Sequence, residues 1–170
     1  MKIKVYLDTC IVSEVYNKRI GDDDYKALND LTEMETIEFV VSGVMKEEFL
    51  KCPDENKRND LSILYKIFNK CTLYNTVQAG LSGACGRTPA GRPPMHEDRL
   101  FKKIKTVFTQ KDKDPEHIFQ AVKNDCDYFL TVDYKSIIKK ARNNKDILRA
   151  ICPNLNFVGP TELLETLGEI

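Results

Sequence analysis

KVYLDTCIV, residues 4–12, holds a single acidic side chain, Asp8, in the middle of a largely apolar run. The β-branched and aromatic residues of KIKVYL (2–7) predict a buried strand, and IVSEVYNK after it predicts a helix. Asp8 therefore stands where a strand hands over to a helix. A carboxylate is costly to bury without a partner, so the rest of the chain has to bring groups to it.

Working outward, DDDYKALNDLTEM reads as a second helix, with Gly21 punctuating the two. TIEFVVS (36–42) reads as a second strand. Ser42 then N-caps a helix over GVMKEEFLKC that Pro53 ends. DENKRNDLSILYKIFNK sets Leu61, Leu64, Tyr65 and Phe68 at helical spacing, the mark of an amphipathic helix, and CTLYNTV reads as a third strand. AGLSGACGRTPAGRPP is rich in Gly and Pro without a period, which predicts a loop over 79–95. HEDRLFKKIKTVFTQ and DPEHIFQAVKN are helical, YFLTV (128–132) a strand, YKSIIKKARN a helix, LNFV a strand and PTELLETL a last helix. Such alternation implies a three-layer α/β fold: a mostly parallel central sheet, helices on both faces, right-handed crossovers. At 170 residues and 42% hydrophobic content, one domain over 1–170 is expected, and no internal repeat is present.

Lys and Arg number 26, as do Asp and Glu, so the formal net charge is zero and no bulk field marks a polyanion or membrane binder. Such a partner must be met by a local patch. The six cysteines, at 10, 52, 71, 85, 126 and 152, include no CxxC pair, which excludes zinc-finger and thioredoxin-like spacing and leads to the expectation of a reduced, cytoplasmic protein. Asp8 interrupts the first apolar run, so neither a signal-peptide core nor a membrane span is expected there.

In open α/β sheets the functional crevice lies outside the carboxyl ends of the strands. Asp8 follows the first strand and Asp133 follows YFLTV, so both are expected at that edge. Glu48 lies about one and a half turns into the helix after the second strand, and Asp114 opens the helix leading to YFLTV. If they converge, their mutual repulsion, roughly 1 kcal/mol at 4 Å in water and about 4 at an effective dielectric of 20, calls for a cation or raised pKa values. An all-oxygen set suits Mg²⁺ or Mn²⁺.

LDTCIV around Asp8, SGVMKEEFL around Glu48, DPEHIFQAVKNDCDYFLTVD from Asp114 to Asp133, and the closing NFVGPTELLETL together resemble the PIN-domain nucleases, including VapC-like toxin ribonucleases. The resemblance lies in the order and spacing of motifs that are individually short. It implies a PIN-like fold and metal-dependent hydrolysis of RNA phosphodiesters, with Asp8, Glu48, Asp114 and Asp133 as catalytic metal ligands and Thr9 and Thr131 as supporting hydroxyls. One or two ions, Mg²⁺ or Mn²⁺, would activate water without a covalent intermediate. It further implies an RNA substrate, a homodimer and, if the chain is a toxin, an antitoxin protein, with no membrane association. Two departures stand out: Cys10 where the family often has Asn or Ser, and the long Gly- and Arg-rich stretch at 79–95.

Each candidate also has a purely structural reading. Asp114 before Pro115 suits an N-cap, and Asp133 suits the start of a turn. Glu47 competes with Glu48, the two lying about 100° apart on a helix, so only one can face the crevice. Asp112 and Asp127 are nearby alternatives, with Asp127 expected at the opposite edge of the sheet. His117 reads as a surface or capping residue, His96 likewise, and Cys10 as a small core residue. An aspartyl phosphotransferase would want an acid at position 10, and a dinucleotide-binding domain a glycine motif after the first strand. Neither is present, which leaves a non-catalytic PIN-like binding module for RNA or protein as the alternative. Finally, Arg87, Arg92 and Arg99, with Lys102, Lys103 and Lys105, concentrate positive charge in and after the glycine-rich stretch. These arginines are candidate RNA-phosphate contacts, against the plain reading of a solvated loop and helix face.

Overall fold

IKVYL favours extended backbone, and strand β1 (Ile3–Leu7) forms there as an interior strand. The computed structural model describes residues 2–61, 98–108 and 113–168. Strand β2 (Ile37–Val40) pairs with β1 in parallel, Val5 opposite Phe39. On the other side β3 (Tyr128–Leu130) is also parallel, Val5 opposite Tyr128, and β4 (Asn156–Val158) lies beyond it. The described sheet is thus four-stranded and all-parallel in the order β2-β1-β3-β4, as an α/β protein should be.

Parallel neighbours require crossovers, and the described ones are helical. Helices α1 (Thr9–Tyr16) and α2 (Asp22–Glu33) link β1 to β2, and α3 (Gly43–Leu50) follows β2. Residues 55–61 are helical. Helices α4 (Arg99–Val107) and α5 (Asp114–Lys123) precede β3. A π-helical turn (Tyr134–Ile138), α6 (Lys139–Asn143) and α7 (Lys145–Ile151) join β3 to β4, and α8 (Pro160–Gly168) closes the fold.

Alternation along β1 decides what each face buries. Val5 and Leu7 join a core with Ile11, Leu31, Met45, Leu130 and Leu163, supplied by α1, α2, α3, β3 and α8. Tyr6 points the other way, into a core with Phe101, Ile104, Phe119, Phe129 and Leu148 from α4, α5, α7 and β3. There it stacks on Phe129, centroids 5.3 Å apart and planes 11° apart. Both rings are fully buried, and truncating such a phenylalanine to alanine costs about 3–5 kcal/mol.

The structure departs from the sequence expectations in particulars. Ser42 occupies the N-cap position of α3 without a side-chain cap bond, because its hydroxyl is taken by Tyr6. Lys113, not Asp114, is the N-cap of α5; Asp114 is the first helical residue, with Pro115 in the first turn where its missing N–H costs nothing. The α3 helix ends at Leu50, before Pro53. KDILRAI forms a separate helix, α7, which the sequence reading did not contain: Asn144, at φ −119° and ψ 29°, breaks the run after α6. The expected positions of Leu64, Tyr65 and Phe68, the CTLYNTV strand, the 79–95 loop, His96 and Asp112 lie outside the described residues. Among the described residues no helix is long and apolar enough to cross a membrane, and Cys10, Cys52, Cys126 and Cys152 are free thiols.

Candidate functional site at the carboxyl edge of the sheet

Asp8 leaves β1 with its amide still donating to the Leu130 carbonyl at 3.1 Å, so the sheet itself fixes where its side chain begins. It sits at the N-cap position of α1, yet its carboxylate makes no cap bond. Instead Oδ2 accepts from Thr131 Oγ1 at 2.7 Å and from Cys10 Sγ at 2.8 Å. Cys10 Sγ lies 3.0 Å from Thr131 Oγ1, and the Asp133 amide donates to that same oxygen at 3.1 Å. The carboxylate is only 5% exposed, and its described hydrogen-bond partners are neutral. Burial, then the Asp8 charge, push the Cys10 pKa far above its ordinary value, so this group is a thiol that donates. Cys10 packs against the core as its residue type suggests, and its thiol in addition joins the candidate site through Asp8 and Thr131.

A second group meets Asp8 from α3 and α5. Glu48 Oε2 lies 2.9 Å from His117 Nε2, which is also 3.1 Å from Thr9 Oγ1. Glu47 turns aside toward Lys113, 3.8 Å away, so of the two adjacent acids Glu48 is the one that enters the crevice. The expectation that His117 lies at the surface fails: it is 2% exposed, because α5 packs this face onto β1. Its Nδ1 is 2.7 Å from Tyr6 Oη, which is 2.5 Å from Ser42 Oγ. Burial opposes protonation of the imidazole, but the Glu48 hydrogen bond and the charges of Asp8, Glu48 and Asp114 outweigh it and raise its pKa. Burial likewise works against ionised Glu48, and the His117 bond and charge, Thr9 and Lys113 overcome it and lower its pKa. Three of the four acids picked from sequence, Asp8, Glu48 and Asp114, thus act on one imidazole.

Asp133 relates to the cluster differently. Its Oδ1 accepts from the Ser136 amide at 2.8 Å, capping the π-helical turn, while its backbone reaches Asp8 through Thr131. Arg99 begins α4 and is exposed. Its neighbour Asp98 pairs at 2.9 Å with Lys123, at the far end of α5 from Asp114. A ten-residue helix spans about 15 Å, so Arg99 stands well away from the acidic cluster. Arg87 and Arg92 lie outside the described residues.

Sequence reasoning missed His117, Tyr6, Ser42 and Cys10. The usable signal for His117 was its place three residues after Asp114, a spacing that puts both on one side of the helix.

As to a metal, the donor chemistry fits a hard divalent cation: carboxylates, one of them buried against neutral donors, and hydroxyls around them. Among the described residues, however, no group of three or more His, Cys, Asp or Glu side chains is set closely enough to hold an ion. Compared with known protein families, characterised proteins and solved structures, the chain has no match.

Proposed function

We propose that this chain is a metal-dependent ribonuclease of the PIN type that hydrolyses RNA phosphodiester bonds. The observation that carries the reading is Asp8, a buried carboxylate at the carboxyl end of an interior strand, held by Thr131 and Cys10, whose charge acts with those of Glu48 and Asp114 on one imidazole. Structural carboxylates find main-chain or cationic partners; one kept against neutral donors and beside other acids is arranged for a ligand.

In this reading Asp8, Glu48, Asp114 and Asp133 would hold Mg²⁺ or Mn²⁺. When bound, the ion would supply Lewis-acid polarisation of the phosphoryl oxygens and a water acidified for attack. The chain's own contribution is positional. Thr131 and Cys10 bind one oxygen of Asp8 and thereby fix the direction of the other. Thr131 also takes the Asp133 amide, which ties the end of β3 to Asp8. Thr9 and His117 hold Glu48 at the crevice wall. A substrate would approach from beyond the ends of β1 and β3, and a flexible single strand reaches such a position more easily than a stacked duplex.

The test is Asp8→Asn, which keeps size and hydrogen bonding. Cleavage of single-stranded RNA in Mg²⁺ or Mn²⁺ should be lost while the fold, followed by circular dichroism, is retained; a folded variant that still cleaves overturns the reading. A second reading, a PIN-like module that binds RNA or protein without cutting, is favoured by the absence of a ready three-ligand group among the described residues. Calorimetric titration with Mn²⁺ separates the two. The nuclease gives a saturable heat that Asp133→Asn diminishes, and the binding module gives none.

A further inference from the structure

We infer that His117 is a positioning residue for Glu48, locked as the Nε2–H tautomer by a buried hydrogen-bond chain that starts at Ser42 and passes through Tyr6. The inference rests on the nuclease reading for its effect on turnover, but not for the tautomer itself.

The chain of contacts is Ser42 Oγ to Tyr6 Oη at 2.5 Å, Tyr6 Oη to His117 Nδ1 at 2.7 Å, and His117 Nε2 to Glu48 Oε2 at 2.9 Å. Donors and acceptors can be assigned around it. An ionised carboxylate only accepts, so Nε2 must carry a proton. In the neutral ring Nδ1 is then the acceptor, and only the Tyr6 phenol is placed to donate to it. That use of the phenol proton leaves Tyr6 Oη accepting from Ser42. Burial pushes the Tyr6 pKa well above its ordinary value, eased by the Ser42 bond and reinforced by Asp8, so the phenol keeps the proton the chain needs. Ser42, Tyr6 and His117 are all at most 2% exposed, so these bonds are shielded from bulk solvent.

The chain explains two otherwise costly features. A tyrosine hydroxyl in the aromatic core beside Phe129 would be an unsatisfied polar group without His117 and Ser42. Ser42, at the N-cap position of α3, forgoes the capping bond its residue type usually makes. Its hydroxyl instead anchors the far end of the chain on the helix that carries Glu48. Both ends of the relay therefore sit on α3, and α5 and β1 bridge them. Outer-shell groups of this kind fix the rotamer and tautomer of what they touch, and their loss typically costs about 10- to 100-fold in affinity or rate.

The experiment uses Tyr6→Phe, which keeps the ring stacked on Phe129 and deletes only the phenol oxygen, together with His117→Gln and His117→Ala. The neutral imidazole is followed by ¹⁵N chemical shifts in full-length protein carrying His96→Gln, so that one histidine signal remains. The tyrosine protein should show the Nε2–H tautomer alone, and Tyr6→Phe a mixture. With Mn²⁺, Tyr6→Phe should lower kcat for RNA cleavage about 10- to 100-fold while KM stays within about twofold. His117→Gln retains an amide N–H near the place of Nε2 and should retain more activity than His117→Ala; equal loss in both would make the ring a proton-transfer group and overturn positioning. An Nδ1–H tautomer, or a Tyr6→Phe protein with unchanged tautomer and kcat, also overturns it. If no metal-dependent cleavage occurs even with native residues, the nuclease reading fails and the tautomer measurement alone decides this one.

Discussion

Asp8 and Asp127 stand at opposite ends of the same pair of strands, and their partners differ in kind. At the amino end, Asp127 Oδ2 accepts from the Lys4 amide at 2.9 Å, its own amide donates to the Lys4 carbonyl at 2.9 Å, and its carbonyl takes the Asn156 amide at 2.9 Å. Asp127 is thus stitched into the main chain of three strands. At the carboxyl end, Asp8 is bound by a thiol and a hydroxyl, with Glu48 and Asp114 close enough to act on the same histidine. One carboxylate completes the sheet's backbone bonding. Among the described residues the other takes no main-chain bond through its carboxylate; it accepts from two side chains, and its charge acts on a buried imidazole beside two further acids. That difference, rather than the mere presence of an acid, makes the carboxyl edge the candidate site.

The largest effect should come from exchanging the roles. Asp8→Asn should lower metal-dependent RNA cleavage by more than the about 10- to 100-fold typical of an outer-shell loss, with midpoint denaturant concentration unchanged or raised because repulsion is relieved. Asp127→Ala should do the reverse. It strands the Lys4 amide, which costs about 1–3 kcal/mol in urea unfolding, while specific activity at a temperature where the protein is folded stays near the starting value. A loss of activity in Asp127→Ala without a loss of stability would erase the distinction between the two ends.

The comparison also marks what could be read from sequence. Asp8 was visible because an acid in an apolar run has no neutral explanation, and the strands because KVYL, IEFV and YFL are short, apolar and separated by helical spacing. Their common direction followed from the alternation with helices. The partners of Asp8 were not visible. His117 and Cys10 are residue types with ordinary roles in a core or on a surface, and only the packing of α5 against β1 turns His117 inward. Whether Ser42 caps its helix or bonds Tyr6 depends on a phenol 36 residues away, which local propensity does not encode. The end of the YKSIIKKARN helix at Asn143 was legible, since Asn favours a helix end, but the separate short helix α7 beyond Asn144 was not.

A smaller effect tests whether every polar cluster at the carboxyl edge is functional. Tyr134 donates to both oxygens of Asp24, at 2.9 and 2.8 Å, and Thr161 Oγ1 donates to Oδ1 at 2.8 Å, joining α2 to the start of α8. Gly159 permits this: a Cβ there would lie 2.2 Å from the Tyr134 phenol oxygen. Tyr134 is 43% exposed, so Gly159→Ala should swing it outward rather than distort the sheet. The expected cost is about 1–2 kcal/mol from the lost phenol bonds, read as a lower urea midpoint, with cleavage retained. Tyr134→Phe should reproduce most of that cost. Abolished cleavage in either variant would make Asp24 an extension of the site, and the edge could no longer be divided into latch and catalytic parts.

The smallest effect is a pH dependence of the metal-free protein, and its sign follows from the environment of His117. The imidazole faces Glu48 from α3, Asp8 from the end of β1, Asp114 from its own helix and the Tyr6 phenol, with Lys113 acting on Glu48 from outside. Its pKa in the folded protein is raised above the ordinary 6.5. The stabilisation from protonated His117 is therefore fully present below about 6.5 and is lost as pH rises through the folded value. The Glu48 pKa is lowered from its ordinary 4.5, so its contribution is present above about 4.5 and is lost as pH falls through the folded value. Together the pair stabilises most between those two ordinary values. Glu48→Gln removes the hydrogen bond and one of the charges that raise the histidine, and it should flatten the alkaline side of the urea-midpoint profile measured in a chelator. Asp127→Asn, at the other end of the strands, should leave the shape of that profile intact. A profile equally steep in Glu48→Gln and in the starting protein would mean that His117 draws its proton affinity from elsewhere, and that the two ends of the sheet differ less in electrostatics than their hydrogen bonds imply.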